Sequence, residues 1–176
     1  NEFDPTDQIL IEQYLMYEAE RKRMAEIQAK VDEFLEANDL EGDIFTSMEE
    51  RGVVIRFQDS VLFPKSKADL YPESKIILAG LAELMGEIGN PIRIEGHTDD
   101  LPINTVRFPS NWELSTTRAT NVLRFLINEG ISGEQLSAVG YGEFRPLVPN
   151  HSEAARKKNR RVDIVLLRES LILGEP

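Results

Sequence analysis

The sequence predicts an α+β fold, an α/β sandwich in the order β-α-β-α-β-β with helices on one face of a four-stranded mixed sheet and a long helix ahead of it. Three observations predict it. Helix formers run from Pro5 to about Asn38 with no glycine and no further proline. Short β-branched or alternating stretches recur at residues 52–57, 92–95, 136–142 and 160–167. Between them lie two segments whose apolar residues repeat at helical spacing, and strands alternating with helices fold as a layered sheet.

The first helix opens at Asp4-Pro5, a capping acid followed by proline at the first helical position. Its span of about 33 residues would measure about 50 Å. Leu10, Tyr17, Met24 and Val31 recur every seven residues; Ile27 and Phe34 supply the second seam position in the later half, where Gln13 and Glu20 stand in the earlier half. Two readings of residues 24–35 stay open here: packing on the chain's own domain, or a dimer seam. Asn38-Asp39-Leu40-Glu41-Gly42 ends the helix, so residues 1–42 read as a helical linker, 43–170 as the domain proper and 171–176 as a tail containing Leu171-Ile172-Leu173.

Within the domain, the β-branched run at 52–57 is a strand, and Asp59 to Pro64 turns away from it. Tyr71-Pro72-Glu73 opens a helix with Ile77, Leu81, Leu84 and Ile88 on one face, closed by Gly89-Asn90-Pro91. Ile92 and Ile94 then alternate with Arg93 and Glu95 up to Gly96, which places His97, Thr98 and Asp99 at the carboxyl end of a strand. After a proline-bearing loop, an apolar pattern through Ala119, Val122, Phe125 and Leu126 defines the next helix, with Arg118 near its start.

The net charge of -11 and pI near 4.7 exclude a general nucleic-acid or anionic-membrane surface, which needs a basic stripe. With no cysteine there are no disulfides and no thiolate metal sites. His97, Asp99 and His151 lack zinc-ligand spacing, and no Gly-x-Ser-x-Gly or Ser-His-Asp order accompanies them, so neither metal, cofactor nor catalysis is expected. No run of eighteen apolar residues occurs, and the first residue is Asn, so the expectation is a fragment whose original N-terminus has been removed.

Asp99 and Arg118 are aimed at one rim. Taken alone they are either a salt bridge tying strand to helix or a clamp for a ligand bearing both ammonium and carboxylate. Four ordered motifs go further. Gly96-His97-Thr98-Asp99, Leu114-Ser115-x-x-Arg118-Ala119, Gly140-Tyr141-Gly142-Glu143 with Pro146, and Asn159-Arg160-Arg161-Val162 resemble the OmpA-type peptidoglycan-binding domain over about residues 52–167. The loop with Leu101-Pro102-Ile103 and Phe108-Pro109-Ser110-Asn111-Trp112 is similar to that of MotB-type flagellar stator subunits.

That resemblance implies a non-catalytic wall anchor on the periplasmic or wall-facing side of the inner membrane, in a full-length protein with one membrane span just upstream. It implies a homodimer, a MotA-type channel partner, and a pocket for the diaminopimelate of the peptidoglycan stem peptide. Asp99, Arg118 and Asn111 would hold that residue, Thr98, Leu114 and Ser115 would line the pocket, and Arg160 or Arg161 would add a contact, the register deciding which. Arg118 is expected as a rim residue whose loss spares the fold. His97 is expected to brace the strand end by hydrogen bonding, and Trp112 to stack on sugar or to fill the loop. A Pal- or OmpA-type tethering protein is the alternative, and a wall hydrolase a more remote one.

Overall fold

A computed structural model of the chain describes residues 4–169. Helix α1 covers Pro5–Ala37, with the Asp4 side chain accepting from the Thr6 backbone N–H and proline at the first turn, as the sequence predicts. Only its second half packs: Met24, Ile27, Val31 and Leu35 are buried in the main core, while Ile9, Leu10, Ile11, Tyr14, Leu15 and Met16 lie open to solvent. The later part of the seam is therefore filled by the chain's own domain, and the boundary expected at residue 42 falls between two parts of one packed unit. The tail at 171–176 lies outside the described residues.

The sheet has five strands rather than four. Strands β1 (Ile44–Glu49), β2 (Gly52–Gln58), β3 (Ile92–His97), β4 (Leu136–Gly140) and β5 (Arg161–Leu167) are ordered β1-β2-β5-β3-β4. All neighbours are antiparallel except β3 and β4, which are parallel and joined through a helix. The unexpected strand, β1, has strand-favouring residues only in its first half, Ile44-Phe45-Thr46, before Ser47-Met48-Glu49. It is held by the hairpin with β2 and by α1, whose Val31 and Leu35 share the core with Ile44.

The single turn α2 (Asp59–Leu62) follows β2, and helix α3 spans Pro72–Gly86. The buried face of α3 is Leu78, Leu81, Ala82 and Met85, with Ile77 and Leu84 only partly covered, so its stripe is rotated from the expected one. The reason is a second neighbour: α3 packs against α1 as well as the sheet side of the core. A Cβ at Gly80 would lie 2.6 Å from the Phe34 ring.

Helix α4 (Asn111–Asn128) packs across β3 and β4. Two glycines permit the approach: a Cβ at Gly96 would lie 2.1 Å from the Ser115 carbonyl oxygen, and one at Gly140 2.2 Å from Thr116 Oγ1. Ser110 caps α4 through the Trp112 N–H and is in turn hydrogen-bonded to Glu113. A short helix, α5 (Glu153–Asn159), precedes β5 and was not legible as a separate element in the sequence. Ile55, Ile94, Val162, Ile164 and Leu166 face the helices. The other face carries a row of paired charges in place of a helix layer.

Truncation on α1 should therefore separate its halves. Met24→Ala should lower the unfolding free energy by about 2–5 kcal/mol, whereas Leu10→Ala should change it by less than about 0.5 kcal/mol, read from urea midpoints of the isolated chain.

Candidate functional site

The strand ends, the α2 turn, the 101–110 loop and the first turns of α4 surround a pocket of about 570 Å³, within the range of small-ligand clefts. Asp99 leaves the end of β3 with its Oδ1 accepting from the Leu101 backbone N–H (3.0 Å) and its Oδ2 from Arg160 Nη1 (2.7 Å). Thr98 fixes the same corner: its Oγ1 donates to the Asp99 carbonyl at 2.8 Å and its N–H to the Gly142 carbonyl at 2.9 Å. Asn111 Nδ2 donates to the Leu101 carbonyl at 3.0 Å, pinning the loop to the start of α4.

Arg118 lies deeper than a rim residue, at 3% exposure. Its Nε donates to the Lys67 carbonyl (2.8 Å) and its Nη1 to Asp59 Oδ2 (3.1 Å), and its guanidinium sits 4.8 Å from the centre of the Phe63 ring. Nη2 has no hydrogen-bond partner among the described residues. The guanidinium is thus held in place by two of its nitrogens and by a ring, with the third free to meet a carboxylate. Burial lowers the Arg118 pKa, and Asp59 opposes that by favouring the charged form.

Asp99 and Arg118 share the pocket without pairing. Asp59 stands between the cations: besides Arg118 it lies 3.8 Å from Arg160 Nε, and Arg160 also donates to Glu153 at 2.7 Å. Asp59, Asp99 and Glu153 are matched there by Lys65, Arg118 and Arg160, so this pocket in a strongly acidic chain is electrically balanced. Asp59 and Glu153 were not anticipated. The signal for Asp59 was its position, an acid just past the end of β2 as Asp99 lies just past the end of β3.

Leu114 lines the pocket, but Ser115 does not: its fully buried Oγ donates to the Trp112 carbonyl (3.1 Å) and accepts from the Gly142 N–H (3.0 Å). Of the two arginines, Arg160 reaches the pocket. Arg161 turns to the sheet's other face, donating to Asp163, the Asn159 carbonyl and the Arg145 carbonyl. Consecutive extended residues point opposite ways.

His97 shares that other face. It braces the strand end by stacking on Tyr141 (5.2 Å between centroids) rather than by hydrogen bonding, since neither ring nitrogen has a partner. His97, Glu95 and Asp163 come within ligand spacing of one another, whereas His97, Asp99 and His151 do not form such a group among the described residues. The donor set does not suit a cation. Glu95 is taken by Arg51 (2.6 Å) and Arg93 (2.9 Å), and Asp163 by Arg56 (2.9 Å) and Arg161 (3.2 Å). Burial pushes the Glu95 carboxyl up, but Arg51 and Arg93, at hydrogen-bonding distance, hold it down to about 2. Burial lowers the His97 pKa, against the opposing effect of Glu95 and Asp163.

The sequence profile of the OmpA family matches residues 62–160. The chain belongs to the OmpA family. Motility protein B of Bacillus subtilis is 35% identical over 153 residues, which cover 85% of this chain and 58% of that protein. A putative MotB-like protein from Desulfovibrio vulgaris superposes with a TM-score of 0.79 at 36% identity, covering 89% of this chain and 99% of that one. The cell wall anchor of the T6SS from Pseudomonas aeruginosa superposes with a TM-score of 0.71 at 29% identity, covering 78% and 96%. The chain carries a MotB-type OmpA-like domain and spans little more than half the length of the curated motility protein it matches.

Two outcomes follow from this geometry. Arg118→Ala should strand the Asp59 carboxylate and cost about 3 kcal/mol or more in urea unfolding, contrary to the sequence expectation for a rim residue. The stabilisation from Glu95, whose pKa falls from 4.5 to about 2 on folding, is present above pH 4.5 and lost as pH falls toward 2. Glu95→Gln should therefore remove up to roughly 3 kcal/mol at neutral pH and flatten the acid limb of the stability curve.

Proposed function

We propose that this chain is the non-catalytic, peptidoglycan-binding anchor of a MotB-type flagellar stator, fixing an ion-channel complex to the cell wall. The observation that carries it is the convergence of Asp99 and the buried, pre-oriented Arg118 in one charge-balanced pocket. A zwitterionic side-chain end, such as that of diaminopimelate in the stem peptide, matches those two groups. Its carboxylate meets the free Nη2 of Arg118, and its ammonium takes a place at Asp99. Arg160 bonds both Asp99 and Glu153, and in this reading Glu153 retains it when the ammonium takes its place at Asp99.

In this reading Thr98, Asn111 and Leu114 shape the pocket directly, Ser115 holds the loop that backs it, and Arg161 contributes to the fold rather than to contact. The exposed apolar residues on the first half of α1 support a homodimer, with a MotA-type channel subunit met through a membrane span upstream. Weak binding per site is enough, because two domains on a polymeric wall raise the effective concentration for rebinding.

Co-sedimentation with insoluble peptidoglycan tests this. Asp99→Asn and Arg118→Lys should each reduce retention at least tenfold, about 1.4 kcal/mol, while circular dichroism shows both variants folded. Full retention by both would rule the pocket out.

A further inference from the structure

Beside the pocket, Trp112 and Phe144 stack on each other with ring centres 5.1 Å apart and planes 18° from parallel. They come from the first turn of α4 and from the loop after β4. Gly142, in the left-handed region at φ 59°, turns that loop so that Phe144 reaches the indole, and a Cβ at this position would lie 3.6 Å from both rings. The pair is not buried: Trp112 is 49% exposed and Phe144 62%.

A purely structural role does not account for it, because the loop is fastened elsewhere. Gly142 is held by Thr98 and Ser115, the Arg145 carbonyl accepts from Arg161, and the Asn159 side chain bonds to Leu147 and Val148. Stacked aromatics left open to water on a rigid, hydrogen-bonded frame have the form of a binding platform. The indole N–H donates to nothing among the described residues. The platform also adjoins the pocket, since Asn111 precedes Trp112 and the Thr98 N–H binds the same Gly142 that backs the rings.

We propose that the Trp112–Phe144 pair is a glycan subsite, on which the uncharged C–H face of a peptidoglycan sugar lies while the stem peptide hanging from that sugar enters the pocket. The platform itself bears no charge, which suits a neutral pyranose ring and not an ionic group. The proposal rests on the pocket reading for the position of the stem peptide, but its chemistry is separate.

Trp112 is the only tryptophan in the chain, so its fluorescence reports on the subsite directly. Three probes distinguish the two sites: a free diaminopimelate-containing tripeptide, the same tripeptide on its disaccharide, and a peptide-free N-acetylglucosamine oligomer. The disaccharide-tripeptide should bind about three- to tenfold tighter than the tripeptide and shift Trp112 emission, which the tripeptide leaves unchanged. Trp112→Ala and Phe144→Ala should each erase that advantage with tripeptide affinity intact, and Trp112→Phe should keep most of it. Equal affinity for the two peptide ligands, or an advantage that survives both alanine variants, would overturn the subsite. Loss of tripeptide binding with the glycan oligomer still shifting Trp112 emission would instead overturn the pocket reading and leave the subsite standing.

Discussion

The buried contact between Arg118 and Asp59 is the constraint from which the site follows. A guanidinium taken out of water needs a carboxylate and further acceptors, since its desolvation otherwise exceeds what packing returns. Asp59 supplies the charge, the Lys67 carbonyl a hydrogen bond, and the Phe63 ring a face. Those three come from the α2 turn and the loop that follows it, so the arginine of α4 ties this corner to the helix. The same aspartate lies near Arg160, which brings the start of β5 into the arrangement and places a cation on Asp99.

Close approach of α4 to β3 and β4 makes that geometry reachable. Glycines at 96 and 140 remove the side chains that would strike the backbone of Ser115 and the side chain of Thr116. With α4 seated this low, the Ser115 hydroxyl reaches the Gly142 N–H, and the loop carrying Phe144 is drawn over Trp112. Fold and site thus share a cause, and the residues that build one are neighbours of those that shape the other.

The sheet face away from the helices is closed differently. Arg56, Asp163 and Glu95 fall in register across β2, β5 and β3, and Arg51, Arg93 and Arg161 complete a layer of ion pairs. Beneath it Val54 and Val165 are fully buried. Long charged side chains cover apolar surface with their stems while keeping their heads paired. Arginines occupy both carboxylates near His97, so the histidine serves as an aromatic brace on Tyr141 instead of a ligand.

The sequence by itself determined the long first helix, four of the five strands, the family, and the two residues on which the pocket reading depends. Capping, period-two alternation and glycine at strand ends are local signals, written where they act. Only the tertiary structure decided the rest. β1 forms because a hairpin and α1 cover it, the stripe of α3 turns because α1 lies against it, and Arg160 rather than Arg161 meets the pocket because of register. Arg118 is buried because Asp59, fifty-nine residues away, is there to receive it. Such facts depend on which distant groups meet, and a partner's charge or ring is not encoded beside the residue that needs it.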